Sequence, residues 1–257
     1  MIPKIIHYCW FGRGEMPPII KKCMKSWKKH CPDWKIICWN EDNFDVQSSA
    51  FTRQAYEAKK YAFVADYVRL KALYEMGGVY LDTDQELRKP LDPFLHHRAF
   101  AGFLNKYEVS AGVIGAEPGH ELIREMLQAY SDKVFLSEKG EDLTPNTKGI
   151  TGMLQERGLI IDDTYQEIGQ IAIYPQTYFC PTSCITVEHC ISKDTVSVHH
   201  WAGSWHTEKG RKDMKREKFH TTKFYRTWEK VKIFPQKALR NLLSDRVVDC
   251  LKERLGK

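Results

Sequence analysis

Two carboxylates that are separated by one residue carry the clearest chemical signal in the sequence: Asp82 and Asp84. They follow an apolar segment, residues 79–81, which is typical of a short strand, and Gly77 and Gly78 precede that segment. Side chains at i and i+2 of an extended segment point to the same side, so both carboxylates can share a hard divalent cation. In open α/β sheets, ligands bind beyond the carboxyl ends of the strands. The pattern predicts a cation-assisted site here, although such a pair alone is also typical of a solvated turn.

A second charged pair, Asp66 and Arg69, lies three residues apart in a predicted helix. One interpretation is a surface ion pair between neighbours on the helix. The surrounding segment is apolar and rich in alanine, however, and a charge in such surroundings needs a partner. This context favours a functional role for Asp66 and Arg69 in a binding or catalytic site.

The elements that must position these residues alternate between strands and helices. The predicted strands are 4–10, 35–39, 79–81, 98–104, 109–116, 171–174 and 196–200. The predicted helices begin at Pro17, at about residue 58 (ending at Met76), at Gly119 and at Pro235, and residues 133–147 are predicted to be a loop. A strand, a helix and a strand at the start indicate a βαβ unit, and the whole pattern predicts an α/β fold with a mostly parallel central sheet flanked by helices.

The composition excludes several classes of protein. The chain has 257 residues, of which 42% are apolar and 28% charged, so it can bury a core and is not disordered throughout. It has no apolar run near the roughly 20 residues that a membrane span needs, and its first residues do not resemble a signal peptide. We therefore expect a cytoplasmic location.

The positive charge is concentrated at the end of the chain. Residues 208–257 contain 16 Lys and Arg against 7 Asp and Glu, a balance of +9, so the first 207 residues carry −3 of the net +6. We predict two parts: a catalytic domain over 1–207 and a basic helical extension over 208–257 packed on it. The extension has apolar residues at helical spacing beside its basic residues, which is the pattern of an interfacial helix on the inner face of a plasma membrane. It is equally the pattern of a helix packed on the core with a solvated basic face.

Four segments together resemble glycosyltransferase family 32, the family of Asp-x-Asp sugar transferases that includes mannosyltransferases and bacterial capsular-polysaccharide enzymes. They are residues 2–12 (IPKIIHYCWFG), 61–69 (YAFVADYVR), 77–84 (GGVYLDTD) and 200–205 (HWAGSW). The resemblance implies a GT-A fold, a nucleotide-sugar donor, a divalent metal (Mn²⁺ or Mg²⁺) on its diphosphate, and retention of the anomeric configuration. It also implies a hexosyltransferase of bacterial capsular or surface-polysaccharide synthesis that acts on a glycan or a lipid-linked oligosaccharide.

The resemblance also assigns roles to single residues. It gives Asp66 to the sugar hydroxyls and Arg69 to the sugar or the diphosphate. Residues that contact the donor nucleotide or its diphosphate are expected to be Trp10, Tyr80, Ser204 and Trp205. Stacking of a base on Trp10, and the order of Trp, Asp, Arg and Asp-x-Asp, favour a UDP-sugar over a GDP-sugar.

The expected metal ligands are Asp82, Asp84 and His200. Asp84 is the expected direct ligand, whereas Asp82 contacts the ribose, or the metal through water. His199 is the alternative to His200, because adjacent residues of a strand face opposite ways and only one of the two rings can point into the site.

Two other functions compete with sugar transfer. A basic tail with interleaved aromatic residues is also found in nucleic-acid-binding proteins, but no recognised nucleic-acid motif is present and we expect no nucleic-acid partner. A sugar-binding protein without turnover is the third interpretation, and the intact acidic pair argues against it.

Overall fold

The computed structural model of the chain describes residues 1–138, 140–181 and 190–202. Its strands are β1 (Ile5–Cys9), β2 (Lys35–Trp39), β3 (Gly78–Leu81), β4 (Gln85–Leu87), β5 (Ala99–Asn105), β6 (Glu108–Val109), β7 (Val113–Ala116), β8 (Leu136–Ser137), β9 (Gly140–Glu141), β10 (Gln166–Ile168), β11 (Ile171–Tyr174) and β12 (Ser197–His199). Its helices are α1 (Pro18–His30), α2 (Ala50–Glu57), α3 (Tyr61–Met76), α4 (Glu121–Gln128), α5 (Asn146–Gln155) and α6 (Gln176–Phe179), with a 3₁₀ turn at Asp92–Phe94.

The main sheet has eight strands, seven of them in the order β10-β11-β5-β7-β3-β1-β2, with β6 paired to β5. Strand β1 is parallel to both β2 and β3, and β5 is parallel to β11. Strand β7 is antiparallel to both of its neighbours, β3 and β5. Five strands (β1, β2, β3, β5 and β11) therefore point the same way, and the expected α/β fold with a mostly parallel sheet is confirmed.

Helices cover both faces of this sheet. Helices α1 and α6 pack against one face, and α2, α3, α4 and α5 pack against the other. Successive side chains of a strand point to opposite faces. In β3, Val79 and Leu81 therefore lie on the α1 face, while Tyr80 lies on the α3 face. This alternation directs part of β3 toward the charged residues of α3.

Helix α1 forms where the sequence predicts it and fixes the position of β4. It begins at Pro18, whose restricted φ suits the first turn of a helix. It buries Ile20, Cys23 and Trp27, which recur at helical spacing. The indole of Trp27 donates a hydrogen bond to the carbonyl oxygen of Gln85 at 2.7 Å. The residue after the Asp-x-Asp motif is thus anchored to α1.

His7 joins the first strands to the end of α3. Its ring is fully buried, its Nδ1 accepts a hydrogen bond from Trp39 Nε1 at 3.1 Å, and its Nε2 donates to the carbonyl oxygen of Gly77 at 2.8 Å. Burial lowers the pKa of His7, so the ring is neutral with both nitrogens paired. His7 therefore has a structural role at the start of β3.

The structure differs from the predicted elements at several places. The long helix predicted from residue 58 begins at Tyr61, and a separate helix, α2, precedes it. The strand predicted over 109–116 is divided into β6 and β7 at residues 110–112. The predicted loop over 133–147 contains the β8–β9 hairpin and the first residues of α5.

Residues 1–181 and 192–205 form one compact unit, and residues 182–191 and 206–257 form the second. The expected basic extension, Ser204 and Trp205 lie outside the described residues, and so does the boundary expected near residue 207. Within the described residues, no helix combines the length and the apolar character that crossing a membrane requires.

Candidate active site

The Asp-x-Asp motif lies in a tight turn between β3 and β4. The backbone N–H of Gln85 donates to the carbonyl oxygen of Asp82 at 2.9 Å, which closes the turn. The motif is therefore at the carboxyl end of β3, as the sequence predicts, but it is not an extended continuation of that strand. The prediction that the two carboxylates share one side through strand alternation is thus wrong in its geometry, because a turn brings them together.

Both carboxylates meet a histidine from the last described strand. Ligand atoms of Asp82, Asp84 and His199 all lie within 4.8 Å of one another. Strand β12 is antiparallel to β4 and pairs His199 with Gln85, which carries the imidazole to the motif. His200 points elsewhere, and its Nε2 donates to Glu86 Oε2 at 2.7 Å. The structure therefore replaces His200 by His199 as the imidazole beside the two carboxylates.

Asp84 connects β4 to the segment that follows β12. Its Oδ1 is 3.1 Å from His199 Nε2, and its Oδ2 accepts a hydrogen bond from the N–H of Ala202 at 2.7 Å. Burial acts to raise the pKa of Asp84, but His199 and the Ala202 N–H outweigh burial and hold the pKa at about 2. Conversely, burial acts to lower the pKa of His199, and Asp84 raises it well above the usual value. Asp84 is thus an ionised, buried carboxylate with an imidazolium partner.

The turn after His199 has an unusual backbone. Trp201 has a φ of 54°, in the left-handed region that a bulky side chain rarely occupies. Its ring stacks on His199 with centroids 4.3 Å apart and planes at 18°. The N–H of His200 donates to the carbonyl oxygen of Asp84 at 3.0 Å. Bonds to Asp84 on both sides of Trp201 therefore hold this turn.

Arg69 is a buried cation that joins α3 to the motif. It is 5% exposed, and its Nη2 lies 2.9 Å from Asp66 Oδ1 and 3.3 Å from Asp82 Oδ1. Its Nη1 donates to the carbonyl oxygen of Ala111 at 2.6 Å, and its guanidinium lies over the ring of Tyr80 at 4.5 Å. Burial acts to lower the pKa of Arg69, but Tyr80, Asp82 and Asp66 together raise it. The structure thus brings Asp66, Arg69, Tyr80 and Asp82 into one network.

Asn146 is a site residue that the sequence analysis missed. Its Nδ2 donates to Asp66 Oδ1 at 2.8 Å, so the same oxygen that faces Arg69 also accepts from α5. Burial raises the pKa of Asp66 to about 6, although Arg69 opposes this shift. Asn146 lies at the start of α5, in a polar segment predicted as loop, and a local sequence pattern does not reveal a contact with a residue 80 positions away.

Residues 110–112 fill the space beside Asp82. Ser110 is buried, and its hydroxyl accepts a hydrogen bond from the N–H of Gly112 at 3.0 Å. A Cβ on Gly112 would lie 2.9 Å from Asp82 Oδ2 and 3.0 Å from Gln85 Nε2. Glycine at position 112 therefore leaves Asp82 in its place.

Trp10 lies at the same edge of the sheet. It follows β1, and the register His7–Tyr80 between β1 and β3 puts Trp10 about level with the Asp-x-Asp turn. The indole is partly buried, and its Nε1 donates to the carbonyl oxygen of Gly14 at 2.7 Å. The hydrogen bond of the Trp10 indole is to Gly14 and not to the charged network of Arg69. The expected contact of Trp10 with a base therefore stays a prediction, as do the expected contacts of Ser204 and Trp205.

The donor set of Asp82, Asp84 and His199 suits a divalent cation. Two carboxylate oxygens and one imidazole nitrogen are ligands that Mn²⁺ accepts, and Mg²⁺ prefers the oxygens. The imidazole proton already lies between His199 and Asp84, and a cation held by these residues would take the place of that proton.

Comparisons with known proteins find sugar transferases. Residues 17–101 match the protein family described as a glycosyltransferase sugar-binding region containing a DXD motif. Inositol phosphoceramide mannosyltransferase 3 of Schizosaccharomyces pombe is 30% identical over 131 residues, which are 49% of this chain and 36% of that protein. Mannosyl phosphorylinositol ceramide synthase SUR1 of Saccharomyces cerevisiae is 30% identical over 133 residues, 50% of this chain and 35% of that protein. Among solved structures, the PaToxG glycosyltransferase is 18% identical, covers 60% of this chain and 68% of its own, and has a TM-score of 0.45.

The matched range of the family contains Asp66, Arg69, Asp82 and Asp84, and it begins after Trp10. The comparisons support a transferase of the glycosyltransferase class, which is the enzyme class expected from the sequence. The expected resemblance to sugar transferases with an Asp-x-Asp motif is confirmed at that level. The matched segments span only about a third of the length of the curated relatives, 36% and 35%.

Proposed function

We propose that the chain is a metal-dependent, retaining glycosyltransferase with a GT-A fold, which moves a hexose from a nucleotide sugar to a glycan or lipid-linked acceptor. The observation that carries the proposal is the convergence of Asp82, Asp84 and His199 at the carboxyl edge of the sheet, next to the buried Arg69. A cation bound there supplies electrophilic stabilisation of a departing diphosphate.

The residues of the chain divide the work as follows. Asp84 is ionised and positioned as a ligand, and His199 provides a nitrogen 3.1 Å from Asp84 Oδ1. Arg69 adds a fixed positive charge in a buried network, where it orients Asp82 and Asp66. Asp66 uses Oδ1 for Arg69 and Asn146, which leaves Oδ2 to accept from a sugar hydroxyl.

The stereochemical outcome and the donor are finer parts of the proposal. We take the acceptor hydroxyl to attack from the face that the diphosphate leaves, with the diphosphate as the base, so the anomeric configuration is retained. We take the donor to be a UDP-sugar, because Trp10 offers a stacking surface at this edge of the sheet. The relatives named above are mannosyltransferases or mannosyl-lipid synthases, which makes mannose the first hexose to compare with glucose and galactose.

A role in bacterial capsular or surface-polysaccharide synthesis, on the cytoplasmic side of the membrane, completes the proposal. The two relatives are named for inositol phosphoceramide and mannosyl phosphorylinositol ceramide, which are lipids with a phosphate group. Their names support an acceptor that is carried by a lipid.

Donor hydrolysis by the full-length protein tests the proposal. Purified protein is incubated with UDP- and GDP-sugars, with Mn²⁺, with Mg²⁺ or with a chelator, and release of the nucleotide is measured. We expect release that requires the metal, and a thermal shift with the same donor, because a bound ligand stabilises the folded state. A nucleic-acid-binding or non-catalytic sugar-binding protein would release no nucleotide under any of these conditions. Stabilisation by GDP-mannose and by no UDP-sugar would reverse the choice of donor.

A further inference from the structure

The outer face of α1 consists of lysines. Lys21, Lys22, Lys25, Lys28 and Lys29 are all exposed, and the helix contains no acidic residue. Over the first 207 residues, acidic residues exceed Lys and Arg by 3, so this concentration is not a consequence of a basic composition. We call these five residues the lysine face.

The lysine face is a continuous row on one side of the helix. Residues three and four apart are neighbours on a helix surface, and the spacing from Lys21 to Lys29 gives a row about 12 Å long. The opposite side buries Ile20, Cys23 and Trp27 in the core. Like charges at these spacings repel and destabilise a helix. Lys28 and Lys29 lie in the last turn, where a positive charge suits the helix dipole. That gain does not explain five lysines on one face, so we look for a partner outside the chain.

Among the described residues, the first two of these lysines have an acidic partner. Lys21 pairs with Glu15 at 2.8 Å, and Lys22 pairs with Glu86 at 2.8 Å. Within the described part of the chain, Lys25, Lys28 and Lys29 form no ion pair. Burial, followed by the charges of Lys29 and Arg88, lowers the pKa of His30, which places exposed Arg88 beside the end of this row. The unneutralised charge is thus concentrated at the C-terminal half of α1.

A chain of contacts connects the lysine face to the candidate active site. Glu86 accepts from Lys22 at 2.8 Å and from His200 at 2.7 Å. His200 is adjacent to His199, and its N–H donates to the carbonyl oxygen of Asp84. A surface bound by the lysine face would therefore lie next to the segment that closes over the Asp-x-Asp turn.

We propose that the lysine face docks the enzyme on an anionic lipid surface and so brings the site to a lipid-linked acceptor. The inference rests on the proposed function only in taking the acceptor to be carried by a lipid. The lysine face presents mobile point charges in a row, which suits a plane of headgroups. Recognition of a shaped anion favours the fixed fork of arginine instead, and α1 itself contains no arginine. Basic residues next to an anionic bilayer bind by attraction that salt screens.

Vesicle sedimentation with the full-length protein tests this inference. The binding variant is K25Q/K28Q/K29Q, since glutamine keeps helix propensity and removes the charge. The control variant is K59Q/K106Q/K148Q, which removes the same charge from other parts of the chain, at two exposed positions, Lys59 and Lys148, and one partly exposed position, Lys106. Each protein is mixed with phosphatidylcholine vesicles, with and without phosphatidylserine, at low and at high salt. Donor hydrolysis without vesicles is measured in parallel, and Tm shows whether each variant is folded.

We expect the wild type and the control variant to sediment with the anionic vesicles at low salt only. We expect K25Q/K28Q/K29Q to bind these vesicles at least about tenfold more weakly than the wild type. Equal binding by the two variants, or no binding by the wild type, overturns the inference. Binding to heparin, a soluble polyanion, is measured with the same variants. If K25Q/K28Q/K29Q loses binding to heparin but not to vesicles, the partner is an acidic polymer and the inference is overturned. Donor hydrolysis separates the two proposals: its absence in the wild type refutes the proposed function, while vesicle binding is judged by its own result.

Discussion

Asp84 is the single residue through which β4, β12 and the turn after β12 are joined. The residue is 8% exposed, its carboxylate is ionised, and each oxygen already has a partner, His199 or the N–H of Ala202. A cation bound by Oδ1 would therefore replace the proton that this oxygen shares with His199.

We predict that Asp84→Asn lowers metal-dependent donor hydrolysis by at least about a hundredfold, roughly 2.7 kcal/mol of barrier, because the amide cannot supply the negative charge. Asparagine keeps an oxygen for the Ala202 N–H, so far-UV circular dichroism is expected to be unchanged and Tm only moderately lower. Asp33→Asn is the control, since Asp33 is an exposed carboxylate paired with Lys4. Hydrolysis at the wild-type rate by Asp84→Asn would remove Asp84 from the metal site.

Gly112 tests the site from the side of the sheet. We predict that Gly112→Ala lowers donor hydrolysis about tenfold or more, because the new Cβ would lie 2.9 Å from Asp82 Oδ2, which Arg69 holds in place. Gly149→Ala is the matched control, since a Cβ at Gly149 in α5 meets nothing within 4 Å. There we expect unchanged hydrolysis and a slight gain in stability, about 0.5–1 kcal/mol. Equal activities of the two variants would show that Asp82 tolerates the displacement.

At the level of single residues, the sequence predicted the members of the site better than their geometry. Asp66, Arg69, Tyr80 and Asp82 do form one network, because spacing along α3 and alternation along β3 bring them to one face. The choice between His199 and His200 needed the register of β12 on β4, which no local pattern contains.

The helix α3 shows the same limit at the level of elements. The sequence predicts one apolar stripe, formed by Tyr61, Ala65, Val68, Ala72 and Met76. The helix is nevertheless buried on several sides, because it packs between the sheet and the helices α2 and α4. Residues such as Phe63, Leu70 and Leu73 lie outside that stripe and are buried. Helix α2 has only eight residues and was not predicted. Its N-cap serine, Ser49, accepts from the N–H of Thr52 and is the signal that could have marked it.

The connection from α3 to β3 depends on Gly77. Its φ of 63° and ψ of −167° lie in a region that only glycine occupies readily, and a Cβ there would lie 2.6 Å from Pro118 Cδ. We predict that Gly77→Ala destabilises the fold by about 3 kcal/mol, a fall in Tm of roughly 6 to 12 °C.

Gly158→Ala separates the two causes of that loss. Gly158 has a φ of +98°, but a Cβ there meets no atom within 4 Å. Strain alone should cost this variant about 1 kcal/mol. Thermal unfolding of both variants gives the comparison, and equal losses would show that crowding against Pro118 contributes nothing.

At the scale of the whole molecule, positive charge is concentrated in two regions that lie far apart in the sequence. One is the lysine face of α1, and the other is residues 208–257, with a balance of +9. Two weak sites that bind one surface together are worth more than either alone, since the second binds at a high effective concentration.

We therefore predict that Lys212→Gln, Lys215→Gln and Lys218→Gln together weaken binding to anionic vesicles about as much as the three changes in α1. Each basic residue near an anionic surface contributes roughly 1 kcal/mol, so equal numbers of lysines should give similar losses. Combining the six changes should multiply the two losses and remove most of the salt dependence of binding. Vesicle sedimentation at low and at high salt measures all four proteins. If the tail variant binds as the wild type does, the basic run at the end of the chain serves another purpose, and the membrane contact belongs to α1 alone.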